Sequence, residues 1–399
     1  MESLPQELVN AIVYEIDNCA SLKACALAGS MFRQPSQRIL LSSLTLRRNF
    51  KGAHALLEKS PHVAAYVTRL SIRIENANAP SIERFFRIIN KLANVRQCLL
   101  SGMKDVFGPN YHTPTLISAL FDFLARQPLR ELHVLSVTEA PPAVILRLLA
   151  TAPLVSFYDV FVKKDPDTFS SDSTPCDGPQ HARKVEDLIV EQVAHNVYEL
   201  LALPRFKSYT SALRRLFVHS LDCTDPSAKL ISACAATLEH IHLHLRGQVL
   251  GGPQISASAL PLLRSAEFSL FFPSNAAPWF SNLVLAIVGT SPLLADIVIS
   301  FIPISRRASM AGALLHGTLL TALDAALMMH SARPIIRWRF DFEPQFIEER
   351  SRAEFFAKAT DVIETGMPKL REERRLVVQR YDYGEARYRR IGGTTVWSA

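Results

Sequence analysis

The sequence predicts an α/β protein, with a small N-terminal unit of three helices followed by a long solenoid in which parallel strands alternate with helices. Three observations carry this. A short apolar frame recurs ten times after residue 60, helix-like segments separate the recurrences, and alternate positions within the strand-like stretches are polar.

The first element is "SLPQELVNAIVYEIDN". Leu4, Leu8, Ile12 and Ile16 fall at i, i+4 spacing, and Val9 and Val13 widen the stripe, which makes an amphipathic helix. Ser3 and Gln6 have the spacing of a capping box. A second short helix carries Leu22, Cys25, Ala26 and Leu27. A third is expected to begin at Pro35, because proline's missing N–H is harmless in a first turn, with Ile39, Leu40 and Leu44 as its apolar face. This unit spans residues 1–46. Three helices of that size bury little surface alone, so part of the apolar stripe is expected to serve as a docking face.

The solenoid is placed at 60–399. Its strands are expected within 67–74, 95–102, 129–137, 155–162, 185–193, 213–221, 238–245, 263–272, 294–302 and 335–342, each in an apolar-x-x-apolar-x-apolar frame. Between them lie segments whose apolar residues recur at three and four, as in Phe85, Ile88, Ile89 and Leu92. A strand, a crossover helix and another strand, repeated, implies parallel pairing through right-handed connections. A doubly wound sheet would bury both strand faces and favour continuous apolar runs. Here Arg69, Arg73, Glu131, His133, Asp187, Arg215, His240, Glu267, Arg337, Arg339 and Asp341 occupy alternate positions, so one face is wet. That is the expectation for a leucine-rich-repeat solenoid, with strands on the concave face and helices on the convex one. The asparagine or cysteine that usually follows each strand in such repeats is mostly absent. A polar stretch near 163–184 reads as an exposed insertion, and "RLVVQRYDYGEARYRR" reads as a last strand followed by a cap or tail.

Composition narrows the function. The formal net charge is +7 and the isoelectric point about 9.1, but basic and acidic residues are interleaved and no nucleic-acid-binding motif occurs, so no nucleic acid partner is expected. The longest apolar stretch, 282–304, is broken by Gly289, Pro292 and Asp296, so it reads as a helix end, a turn and a strand rather than a membrane span. The six cysteines form no Cys-x-x-Cys pair, and no basic-then-apolar leader opens the chain. A reducing compartment, cytoplasm or nucleus, is expected.

No phosphate-binding glycine loop, nucleophile elbow or His-Glu-x-x-His helix is present, and neither an enzyme nor a cofactor is expected. In "HIHLH", His240, His242 and His244 alternate along one strand and share a face, with His219 on the neighbouring strand. Such a set could ligate zinc or respond to pH. Imidazoles along one strand converge poorly on a tetrahedral ion, however, so a polar contact surface without metal is the preferred expectation. In "RWRFDFE", Arg337 and Arg339 share a face with Asp341, which suits either recognition of an anionic group or a local ion pair. Arg215, His219, His240, His242, His244, Arg337 and Arg339 are therefore the candidate partner-binding residues.

Residues 3–46 can be placed further. Leu-Pro-x-Glu-Leu, isoleucines at helical spacing, a short Leu-x-x-Cys-x-Leu helix and the step Phe-Arg-x-Pro-x-Gln-Arg resemble the F-box-like motif at the start of many fungal, basidiomycete-type proteins. With repeats over the remainder, the chain resembles an F-box/leucine-rich-repeat protein. The resemblance implies a substrate-recognition subunit of a Skp/cullin/F-box ubiquitin ligase, acting by recognition and proximity. Leu4, Pro5, Leu8, Ile12, Ile16, Leu22, Cys25 and Leu27 would bind or shape the site for a Skp-type adaptor within the cullin complex, and the repeats would hold an unidentified protein substrate. The alternative is a stand-alone leucine-rich-repeat scaffold whose helices only cap the solenoid.

Overall fold

The structure is a computed structural model of the full chain. Residues 4–47, 50–73, 79–102, 113–164, 183–191, 195–219, 226–245, 259–271, 277–302, 317–342, 348–382, 389–391 and 394–395 are described. They fall into two compact units, Met1–Val185 and Glu186–Ala399.

The first unit opens with helices α1 (Gln6–Tyr14), α2 (Cys19–Ala28) and α3 (Ser30–Leu40). Their core is Val9, Val13 and Leu22, with Ile16, Met31, Phe32, Ile39 and Leu40 packed around it. Asn18 caps α2, its Oδ1 accepting from the Ala20 and Ser21 amides at 2.7 and 3.3 Å. Two expectations are corrected here. The residue preceding α1 is Pro5, which makes no side-chain cap, and the Gln6 side chain is engaged elsewhere; Ser3 lies outside the described residues. The third helix begins at Ser30 and contains Pro35 in its interior.

Pro35 has no N–H to offer the carbonyl of Met31 four residues earlier, which a normal helix would satisfy. Gln6 of α1 reaches across and donates its Nε2 to that oxygen at 3.2 Å. A defect in α3 is thereby turned into a tie between α1 and α3.

Two residues after α3 the chain enters β1 (Ser43–Leu46), so Leu44 lies on a strand rather than on the third helix. Strands β1, β2 (Arg69–Arg73), β3 (Gln97–Ser101), β4 (Glu131–Ala140) and β5 (Leu154–Val162) pair in chain order and in parallel. The second unit continues the same plan with β6 (Asp187–Glu191), β7 (Arg215–His219), β8 (His240–Leu245), β9 (Ser265–Phe271), β10 (Asp296–Ile302), β11 (Ile335–Phe342) and β12 (Leu376–Asp382), again parallel and in chain order. All ten expected strands are present, and β12 is the expected last strand. The insertion expected at 163–184 falls almost wholly outside the described residues. After β12, Arg389–Ile391 pairs antiparallel with Thr394–Thr395.

The repeat has a backbone signature. The residue before seven of the strands offers its carbonyl to two successive amides of the next repeat. Ser42, Thr68 and Arg96 do so in the first unit, and Glu186, Arg214, Glu239 and Arg264 in the second, all at 2.7 to 3.1 Å. Because Ser42 is the first of these rungs, the N-terminal helices join the ladder without a linker.

The missing asparagines are replaced piecemeal. Buried Gln127 donates to the Leu92 carbonyl at 2.9 Å and accepts from the Val95 amide at 3.1 Å. The Arg183 guanidinium donates to the carbonyls of Gln127, Leu129 and Thr151. Arg375 does the same for Leu327 and Pro334. His330 donates Nε2 to the Ser291 carbonyl and accepts at Nδ1 from the Ala332 amide, which fixes its tautomer. Each satisfies turn groups that would be costly to bury unpaired.

Strand residues on one face, such as Leu70, Ile72, Leu132 and Val134 in the first unit or Ile297, Ile299 and Trp338 in the second, are buried beneath the helices. The other strand face carries the polar positions.

Candidate partner-binding surfaces

The stripe expected on α1 divides in two. Val9 and Val13 are fully buried, whereas Leu4, Leu8 and Ile12 are 51, 52 and 53% exposed. On α2, Leu22 is buried and Leu27 is 85% exposed. Pro5 is exposed, Ile16 lies partly buried on the core, and Cys25 is half-buried. Of the eight residues proposed for the adaptor, Leu4, Pro5, Leu8, Ile12 and Leu27 therefore face solvent, and Leu22 and Ile16 hold the helices together. Tyr14, 77% exposed, joins the open side of α1 and was not singled out from the sequence.

The second candidate surface is the polar strand face of the second unit, where register decides what meets what. One row runs Asp187, Arg215, His240, Ser265, Asp296; the next runs Phe217, His242, Glu267, Val298, Arg337; a third runs His219, His244, Ser269, Ser300, Arg339.

The arginines of these rows are already paired. Arg215 makes a two-pronged bond to Asp187, each prong 2.5 Å. Arg337 pairs with Asp296 on the adjacent strand. Arg339 donates Nε to Asp341 at 2.6 Å and lies over the Tyr381 ring, 4.1 Å from its centroid. Asp341 is buried, and Arg339 offsets part of the cost of keeping that carboxylate from water.

The three histidines do not converge. His242 stands edge-on to Phe217, ring centroids 4.4 Å apart, with Nε2 2.8 Å from the Ser269 hydroxyl and Nδ1 3.6 Å from Glu267. Burial, reinforced by the positive charge of Arg339, pushes its pKa down to about 3. His240 is lowered by burial, with Arg215 adding to the effect. His244 is buried, and for His219 only its place on β7 is described. Among the described residues no group of three or more His, Cys, Asp or Glu side chains is placed to hold a metal ion.

The order Glu267, His242, Ser269 is that of an acid, a base and a nucleophile. It does not suit that chemistry, because a general base works best with a pKa near the operating pH, and this one is pushed several units below it. The first unit repeats the motif: His133 Nδ1 lies 2.6 Å from the Ser156 hydroxyl and Nε2 3.5 Å from Glu131. Burial pushes the Glu131 carboxyl up, but bonds from His133 and Gln97 outweigh it and leave its pKa below the usual value. Both relays hold polar side chains in place on a half-dry surface.

Buried Cys98 and Cys234 are free thiols with pKa values raised by burial to about 12 and about 11, so neither is a ready thiolate. Among the described residues no helix is long and apolar enough to cross a membrane.

The fold and these surfaces define an α/β repeat protein carrying an N-terminal helical unit. No protein-family model matches the chain, and no curated protein matches it. Among solved structures it is similar to the leucine-rich repeat-containing protein LegL7 from Legionella pneumophila, at 14% identity, with 85% of this chain and 90% of that chain covered and a TM-score of 0.43.

Proposed function

We propose that the chain is a protein-recognition subunit: a Skp-type adaptor docks on the N-terminal helices, and a protein substrate is held on the polar strand face for transfer by a cullin-type ubiquitin ligase in the cytoplasm or nucleus. The observation that carries this reading is the exposure of Leu4, Leu8, Ile12 and Leu27 on helices that have already used Val9, Val13 and Leu22 for their own core. Fully burying such a side chain contributes about 1.5 to 3 kcal/mol, so a partner that covers the exposed half of Leu4, Leu8 or Ile12 gains roughly half of that from each. The direct passage of α3 into β1 supports the reading too, since an adaptor held on α1 would be tied firmly to the first strands.

Co-expression with a Skp-type adaptor, followed by affinity capture, tests the proposal. The wild-type chain is expected to bring the adaptor with it, and Leu8→Asp/Ile12→Asp is expected to lose it while keeping its circular dichroism. A scaffold whose helices only cap the ladder would capture no adaptor in either form.

A further inference from the structure

The polar strand face of the second unit holds one acidic group that its neighbours leave uncompensated. Arg215, Arg337 and Arg339 each have an aspartate partner. Glu267 has none: among the described residues no lysine or arginine lies within ion-pair distance, and its one close contact is the imidazole of His242 at 3.6 Å. That imidazole stays uncharged at neutral pH. Burial holds the Glu267 carboxyl above its usual range, with Arg339 pulling the other way. The Arg339 charge is directed toward Asp341 and Tyr381, the latter on β12 and so three strands from Glu267.

A second, independent feature lies beside it. Ser300 is 1% exposed and its hydroxyl has no hydrogen-bond partner. It sits on β10 in register with Ser269 of β9, two positions along from Val298, which pairs with Glu267. A buried hydroxyl left unpaired is costly, and here it lies on the same strand face as an uncompensated carboxylate. Val298 between them is half-buried and apolar, a suitable floor for an aliphatic stem.

We propose that this patch, Glu267 with the Ser300 hydroxyl across Val298, receives a lysine or arginine side chain of a partner protein. The substrate class of the second unit is therefore a protein segment with an anchoring basic residue, rather than an acidic or phosphorylated one. This rests on the protein-recognition reading of the strand face. A cationic head would donate to the carboxylate while its methylenes cover Val298, and a small shift of the side chains over Ser300, which is 1% exposed, would bring its hydroxyl within reach of the same head.

The test is selection of phage-displayed random dodecapeptides on the immobilised full chain, followed by affinity measurement of the selected peptides on variants. The expected result is enrichment of Lys or Arg at one fixed position, at least a tenfold loss of affinity on Glu267→Gln, a several-fold loss on Ser300→Ala, and retention of the basic preference on Glu267→Asp. Thermal melts of each variant show that it is folded. Selection of acidic peptides, selection of none, or equal binding to Glu267→Gln overturns the inference. Adaptor capture reports separately: capture without basic-peptide selection overturns this inference alone, and basic-peptide selection without capture overturns the ligase reading alone.

Discussion

The bond from Gln6 to the Met31 carbonyl can be isolated by a double-mutant cycle, because the chain itself contains the reason for it. Gln6→Ala removes the donor and leaves that oxygen without a protein partner, since Pro35 cannot supply one. A net hydrogen bond contributes about 0.5 to 1.5 kcal/mol. This one is exposed, so water recovers part of the loss, and the expected cost is about 0.5 to 1 kcal/mol. Pro35→Ala restores the backbone N–H, so in that background the carbonyl is satisfied within its own helix and Gln6→Ala should cost only the small contribution of its exposed bond to Asn10, which is lost in both backgrounds. The expected coupling between residues 6 and 35 is therefore about 0.5 to 1 kcal/mol, within the range measured for groups sharing a partner. Urea denaturation of the four chains, read with hydrogen exchange of the α1 and α3 amides to confine the effect to these helices, gives the coupling. An equal cost of Gln6→Ala in both backgrounds refutes the argument.

Two further predictions concern the second unit. A Cβ on Gly366 would come within 2.6 to 2.7 Å of the side chain of buried Leu320, including its Cβ, which cannot rotate away. Gly366→Ala should thus cost about 1 to 3 kcal/mol in chemical denaturation, and Leu320→Gly in the same chain, which removes the Cβ as well, should remove most of the increment; equal costs in both backgrounds would contradict the contact. His242 is held neutral in the fold, with a pKa near 3 against 6.5 in a free chain. Between those values the unfolded chain binds the extra proton, so stability falls as pH drops from about 6.5 toward 3, by up to about 1.4 kcal/mol per pH unit. His242→Gln should flatten the pH dependence of the urea midpoint over that interval, and an unchanged slope refutes the assignment.

The period-two alternation of polar and apolar residues made the strand ladder readable, because helices cover only one strand face. β1 was hidden because Leu44 and Leu46 follow the apolar residues of α3 so closely that they read as its continuation. The start of α3 at Ser30 departs from the sequence expectation for a tertiary reason: the rule that keeps proline out of helix interiors assumes that no outside donor serves the orphaned carbonyl, and Gln6 does. On α1 the i, i+4 spacing showed a wide stripe but not its division, since Leu8 and Val9 differ by one position and only the packing of α2 and α3 decides which turns inward. On the strand face the residue types were legible and their pairing was not. Arg337 meets Asp296 across 41 residues of sequence, and the register of β9 sets Glu267 between His242 and Val298, with no Lys or Arg of the described residues in ion-pair distance.

The central claim is that the open side of α1 is a docking face. Its most direct test is the equilibrium affinity of the purified chain for a Skp-type adaptor, compared between wild type and Leu8→Asp/Ile12→Asp. Both side chains lie about half outside the fold, so the variant should keep the wild-type urea midpoint, whereas Val9→Asp, which places a charge in the core, should not. Covering the exposed halves of two such aliphatic side chains contributes about 1.5 to 3 kcal/mol, roughly tenfold to a hundredfold in affinity. A loss of about tenfold or more at an unchanged midpoint is the predicted result; equal affinity for both chains, or no measurable affinity of the wild type, contradicts it.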